Sequence, residues 1–585
     1  MKFIISILMV LFFTSSLILS QDAKKGKLSQ AKENGSVLYL NTAPTPTPFL
    51  INTINPVGAI PNLKTFADYV TNGNHLRKLF VFGDTVVVGV DYLDTNFVAL
   101  TERRIRYNVS FNGGNTWSSD VLVVNTTEGQ AYSDFTPIYA TERSVGVSGR
   151  QYVGSTSRGF AGSELSLGLG SFTSLLNPGT GRDYFAQSLN SSELAGSYLS
   201  STQDTIYFIK YNFVSNTFGT PVVVSAGATE VEASARHSTT TASNGQNVFI
   251  LWYYAGGTFG QFYAKESVNG GTSFGSLTTV LSETAMVGGD SVEAWLNSDF
   301  IYKPGTTNKC AVLQTVAPGT STSRRGYKIL FWSPTINGGN PVKIADWQNA
   351  NIPLLNDSIL YTNDTAIFQV NMAYVSNPTL AYTNDGSRLI CAFQVGQPEY
   401  TSYSYHYYDI YTSYSDNDGA TWSNPINITN TPNIDEIYPT LSKSGNTAND
   451  MKITFLVSEC PGSNSFNQIT TPRCPNYWVY RRYDPVTGSI IGINTISSEV
   501  PQSFKLHQNY PNPFNPSTKI RFELPKSEVI SLKIYDLLGK EVAAVVNNEF
   551  TTAGVKEVEF NASQLASGVY YYVLKAGNLQ ESKKM

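Results

Sequence analysis

Residues 109–118 read Val-Ser-Phe-Asn-Gly-Gly-Asn-Thr-Trp-Ser, and altered copies stand at 267–274, Ser-Val-Asn-Gly-Gly-Thr-Ser-Phe, and at 415–422, Ser-Asp-Asn-Asp-Gly-Ala-Thr-Trp. All three keep Ser first, Asn two on, Gly four on, Ser or Thr six on and an aromatic seven on: Ser110, Asn112, Gly114, Trp117; Ser267, Asn269, Gly271, Phe274; Ser415, Asn417, Gly419, Trp422. An Asn side chain accepts nearby backbone N–H groups, Gly supplies positive φ where the chain reverses, and a hydroxyl ties down the far end. The spacing therefore predicts a tight turn whose aromatic packs between adjacent sheets. A worn copy is read at Thr335 to Val342.

Around the copies, apolar runs such as Leu79 to Leu93, Asn247 to Tyr254, Arg388 to Val395 and Met451 to Val457 alternate with turn clusters, the pattern of antiparallel meanders. Each unit reads as inner strands followed by an outer hairpin bearing the motif, which is the sequence form of a propeller blade. Segments near 75–127, 130–185, 190–228, 232–282, 290–348, 370–430 and 435–485 give seven units. If the second and third merge, six is the count. The 585 residues exceed one ordinary core, and the expected fold is all-β: a six- or seven-bladed propeller followed by a small C-terminal Ig-like β-sandwich.

Aromatic residues make up 12% of the chain and charged ones 14%, with a formal net charge of −4, which gives no electrostatic reason to expect nucleic-acid or anionic-membrane partners. Residues 1–20 place Lys2 before an apolar run that ends in small and polar residues, the layout of a secretory signal peptide cleaved near Ser20-Gln21. No transmembrane segment is expected in the mature chain. Cys460 and Cys474 flank a polar loop that a disulfide could close, while Cys310 and Cys391 sit in apolar runs as buried thiols. Neither Cys/His spacing nor His75, His237 and His406 suggests a metal site, and no cofactor is expected. Residues 21–70 read as a linker or edge segment, 71–490 as the propeller and 491–502 as a second linker.

The repeated turn resembles the Asp-box, the S-x-D-x-G-x-T-W repeat of sialidase-like and BNR-type β-propellers, with Asn in place of the usual Asp. The C-terminal segment 503–585 closely resembles the type A sorting domain of proteins exported by the type IX secretion system. The matching residues are Asn509, Tyr510, Pro511, Asn512, Pro513, Phe514, Asn515 and Pro516, then Ile534-Tyr535-Asp536 with Gly539, and Leu565 to Tyr570 with Gly568. That resemblance implies passage through the periplasm of a Gram-negative cell, the secretion machinery as a partner of 503–585, and a body released or held on the outer cell surface.

The sialidase resemblance implies three arginines on a substrate carboxylate, a Tyr nucleophile with a Glu, and an Asp acid. The candidates are Arg77, where Lys78-Leu79 replaces the family's Ile-Pro, Arg236 with Glu232 nearby, and Asp91 or Asp94. A third arginine is missing. The competing expectation is a propeller that binds glycans or a surface protein without catalysis, with the run from Tyr400 to Ser415 as its aromatic surface: Tyr403, Tyr405, Tyr407 and Tyr411. An exo-sialidase-like glycoside hydrolase is the alternative.

Overall fold

The computed structural model describes strands at 30–33 and 36–39 and the chain from 59 to 585, apart from 66–76, 93–102, 124–128, 139–143, 173–180, 317–327, 350–374, 401–405, 459–474 and stretches of one to three residues elsewhere. Among the described residues it is nearly all β, the one helical element being a short 3-10 turn at Asn337–Gly339.

Seven antiparallel sheets follow one another in chain order. The first holds Leu79–Phe82, Thr85–Tyr92, Arg104–Ser110 and Val121–Leu122, and the second Gly129–Ile138, Ser144–Val153 and Thr156–Ser163. The third is built on Arg182–Ser188, Glu193–Leu199 and Thr205–Asn212, and the fourth on Arg236–Thr241, Val248–Tyr254, Gln261–Ser267 and Thr278–Leu281. Asp290–Tyr302, Lys309–Val316 and Ile329–Trp332 carry the fifth; Val375–Tyr382, Leu389–Tyr400 and His406–Ser415 carry the sixth. The seventh contains Asp435–Leu441, Met451–Ser458 and Asn476–Tyr483, and its outer strand is Ala59–Thr65 from the far N-terminal side of the chain. The segments that could have merged into one unit thus form separate second and third sheets.

Each sheet packs its faces on its two neighbours, so the central strands are apolar without alternation: Thr85–Tyr92 is buried on both faces as far as Asp91, and Val248–Tyr254 throughout. Separate apolar clusters fill successive seams, for example Phe80, Tyr107 and Phe135 between the first two sheets and Phe249, Phe300 and Trp332 between the fourth and fifth. The innermost strand of the first sheet meets Met451–Ser458 of the seventh, and the ring of contacts closes there.

A bulge recurs near the start of the inner strands. Tyr132, Asp183, Leu296, Asn377 and Tyr438 have φ between 50° and 61°, each where the register of its strand slips. Such a slip frees a backbone N–H that must find another acceptor. The preceding sheet supplies one: Ser133 N donates to Asp91 Oδ1 at 3.3 Å, Asn377 N to Gln314 Oε1 at 2.8 Å and Tyr438 N to Gln394 Oε1 at 2.9 Å. Polar residues in otherwise apolar strands are explained by this repeated need.

The three motif turns share one geometry. Ser110 Oγ accepts from Gly114 N at 2.8 Å and donates to Asn112 Oδ1 at 2.9 Å, while Asn112 Oδ1 also accepts from Thr116 N at 2.8 Å. The Ser267–Asn269–Gly271 and Ser415–Asn417–Gly419 copies repeat these bonds. Trp117, Phe274 and Trp422 are half-buried and lie 5.4–5.8 Å from Tyr480, Phe208 and Phe331 of the preceding sheet. The motif glycines face those same rings: a Cβ on Gly271 would stand 1.9 Å from Phe208 Cε1.

Beyond residue 490 two four-stranded sheets enclose a separate core of Ile520, Phe522, Ile530, Leu532, Tyr572 and Leu574. Ile493–Ser497 is a strand of the first of them, paired with Gly554–Asn561, and so lies in this second unit where a linker was expected. Chain composition hid it, because a five-residue polar strand reads like a linker.

Candidate functional site

Every meander has two ends. At one, strands are joined by compact turns such as Gly83-Asp84, the three motif turns and the turn between Tyr382 and Leu389. At the other lie the strand ends at Tyr92 and Arg104, Val316 and Ile329, Tyr400 and His406, and Ser458 and Asn476. Two clusters of charged and phenolic side chains lie on the strands at this second end.

In the first three sheets, Arg103, Arg150, Tyr132, Tyr152 and Asp183 form one cluster. Tyr132, on a bulge, has two guanidinium groups near its ring: Arg150 Cζ lies 4.7 Å from the ring centroid and Arg103 Cζ 5.9 Å. Asp183, on the next bulge, accepts both Nε and Nη2 of Arg150, a two-pronged ion pair. Burial, reinforced by Tyr132, pushes the Tyr152 phenol up to about 12, so at neutral pH it is a neutral donor. Arg103 is 3% exposed and its Nε has no hydrogen-bond partner. Its carbonyl accepts the backbone N–H of Gln130 at 2.9 Å, and the fully buried Gln130 amide is likewise unpaired.

A second cluster lies across the fourth and fifth sheets. Arg236 is paired in register with Tyr253, whose phenol is raised by burial and then by Glu232 and Glu293. Burial holds the Glu293 carboxyl up to about 7. Glu232 Oε1 accepts the backbone N–H of Ala255 at 2.9 Å, which fixes it beside the end of the Tyr253 strand.

Arg77 and Asp91, by contrast, serve the interior. Arg77 is buried; its Nη1 donates to Asp134 Oδ2 at 3.3 Å and to the Thr239 carbonyl at 3.0 Å, tying the first sheet to the second and fourth. Asp91 Oδ2 accepts from the buried Lys78 Nζ at 3.0 Å, and the same ammonium donates to Ser133 O and Oγ. Lys443 makes a similar tie to Asp299 and the Leu380 carbonyl. Arg77 is thus placed in the interior, its Nη1 in bonds between sheets, and not at an open end of the strands. Arg236 and Glu232 both neighbour Tyr253, and Asp94 lies outside the described residues.

The tyrosine surface is corrected. Tyr407 and Tyr411 are buried, because His406–Ser415 is covered on both faces, Tyr411 stacking on Phe393 at 6.3 Å. Tyr403, Tyr405 and the Cys460–Cys474 pair lie outside the described residues; Cys310 and Cys391 are buried free thiols. Sequence reasoning missed Arg103, Arg150, Tyr132 and Glu293, whose neighbourhood arises only when separate sheets meet. Among the described residues no group of three or more His, Cys, Asp or Glu side chains is arranged to hold a metal.

In the C-terminal unit Asn509 is a buried hub. Its backbone N–H donates to the Tyr572 hydroxyl at 2.8 Å, and its side-chain amide donates to Thr518 Oγ1 at 3.0 Å. Asn512 Nδ2 donates back to Asn509 Oδ1, and Phe514 packs toward Phe560, whereas Tyr510 stays exposed. Gly539, at φ 78°, completes a turn in which Asp536 Oδ1 accepts from Leu538 N and Lys540 N; Tyr570 OH donates to the Ala566 carbonyl beside Gly568.

Residues 508–585 match the family described as "Secretion system C-terminal sorting domain". That match indicates export by type IX secretion to the cell surface or extracellular space and makes the secretion machinery a partner of this unit. No curated protein sequence matches the chain. Among solved structures it is similar to an ulvan lyase, a polysaccharide lyase bound to -[GlcA(1-4)Rha3S]-, with 10% identity, 72% of this chain and 95% of that chain covered, and a TM-score of 0.42. It is also similar to the NanB sialidase of Streptococcus pneumoniae (10% identity, 77% and 76% covered, TM-score 0.37) and to the α-L-arabinanase of Penicillium chrysogenum (12%, 62% and 98%, TM-score 0.35). No helix among the described residues is long and apolar enough to cross a membrane.

Proposed function

We propose that the seven sheets are the blades of a β-propeller with Asp-box turns, released from or held on the outer surface of a Gram-negative cell, which binds a glycan or a surface protein without catalysing its turnover. In this reading residues 1–20 are the signal peptide, and the unit beginning at Ile493 is an Ig-like sandwich that addresses the chain for export. The observation that carries the binding reading is the gathering of the Arg103–Tyr132–Arg150 cluster at the end of the strands opposite the compact turns. Arginine and tyrosine together suit recognition of polar, partly apolar ligands.

Sialidase-type hydrolysis remains the second reading, favoured by the Glu232, Arg236, Tyr253 and Glu293 neighbourhood. A carboxyl that keeps its proton to about pH 7 is suited to act as a general acid. Against it stands Arg77, which is buried with its Nη1 bonded to Asp134 and the Thr239 carbonyl. The secreted chain is tested on a glycan array, on intact Gram-negative cells and with a fluorogenic sialoside. Retention without turnover is the expected result. Turnover abolished by Arg236→Ala would establish the hydrolase, and neither retention nor turnover would overturn the binding reading.

A further inference from the structure

We infer that the Arg103–Tyr132–Arg150–Tyr152 cluster is a subsite for the anionic group of an acidic sugar, a carboxylate or a sulfate ester; this rests on the binding reading above and names the ligand class. Four observations converge. The guanidinium groups of Arg103 and Arg150, from neighbouring sheets, both lie within 6 Å of the Tyr132 ring centroid, so two cations are gathered around one phenol. Asp183 takes two of the five N–H donors of Arg150, and Arg103 forms no ion pair among the described residues, which leaves the cluster with more positive than negative charge.

Arg103 Nε and both polar atoms of the Gln130 amide are buried without hydrogen-bond partners, and buried polar groups left unpaired cost free energy until a partner arrives. Finally, the Tyr152 hydroxyl keeps its proton across the neutral range, so it donates to an anion and does not repel it. Planar guanidinium forks match carboxylate and sulfate oxygens, and the half-buried Tyr152 ring offers a face for the C–H groups of a pyranose.

The test uses the full secreted chain in calorimetric titrations with three probes: a tetragalacturonate, a sulfated galactan oligosaccharide and the unsulfated galactan oligosaccharide. One acidic probe is expected to bind and the neutral one not, with affinity falling about tenfold or more in Arg103→Gln and in Arg150→Gln. Which acidic probe binds distinguishes carboxylate from sulfate. Since Arg150→Gln also breaks the Asp183 pair, Tyr152→Phe, which keeps the ring, provides a second variant, and circular dichroism checks each fold. Tyr152→Phe should weaken the acidic probe and leave the thermal transition in place. Equal binding of the neutral probe, undiminished binding by all variants, or no binding of either acidic probe overturns the inference. If the acidic probes fail while another glycan or a cell-surface protein is retained, the subsite falls and the binding reading stands; if nothing is retained, both fall.

Discussion

Glu293 and Gly271 show how single positions carry measurable consequences. Burial raises the Glu293 carboxyl from the ordinary 4.5 to about 7, so between those values the folded chain holds a proton that the unfolded chain has lost. Stability contributed at this position therefore falls as pH rises from about 4.5 to about 7 and levels off above. Denaturant titrations at pH 5 and pH 8 should show a smaller difference in Glu293→Gln than in the native chain. Gly271 combines φ of 84° with a ring against its Cα. Gly271→Ala should cost at least about 2 kcal/mol, read as a lowered denaturation midpoint. The residue scale is also where the sequence was least legible. Positive φ at Tyr132 and Leu296 falls on residues with no preference for it, and no local pattern places Arg103 and Arg150 around one ring, since those contacts are made between sheets.

Elements were more legible, because the motif turn is encoded within eight residues and its bonds are local. Asn417 binds Ser415 Oγ, Thr421 N and Thr421 Oγ1, so Asn417→Ala should lower stability by about 1–2 kcal/mol, with Asn417→Asp recovering most of it. The inner strands carry a different kind of bond. Asp134 accepts from the Arg77 backbone and guanidinium while fully buried. Asp134→Ala leaves a buried cation without its partner and should cost about 3–5 kcal/mol, whereas replacing both residues by apolar ones should cost less than the sum of the single changes. That double-mutant cycle separates a structural pair from a substrate-binding arginine. The aromatic run at 400–415 was misleading for an elementary reason: Tyr is favoured in strands whichever face is covered, so alternation cannot tell an exposed shelf from a filled seam.

At the scale of the whole molecule, the two units are held by separate apolar cores, one set between the seven sheets and one in the C-terminal sandwich. Deleting 493–585 should therefore leave a folded body that accumulates in the periplasm, detected by cell fractionation and protease protection. Retention of export would contradict the role of the sorting unit. The division was legible from the change of texture after residue 490, although the sandwich begins at Ile493, ten residues before the expected boundary at 503.

The outer strand of the seventh sheet, Ala59–Thr65, is among the first parts of the body to leave the ribosome, and its partner Asn476–Tyr483 is among the last. Every other sheet can form from a short length of chain as it emerges, but this pairing joins residues separated by most of the body. The seventh sheet therefore cannot be completed until residues 476–483 have been made, shortly before the C-terminal unit that begins at Ile493. Completion of the body and synthesis of the export address thus fall at the same late stage of the chain.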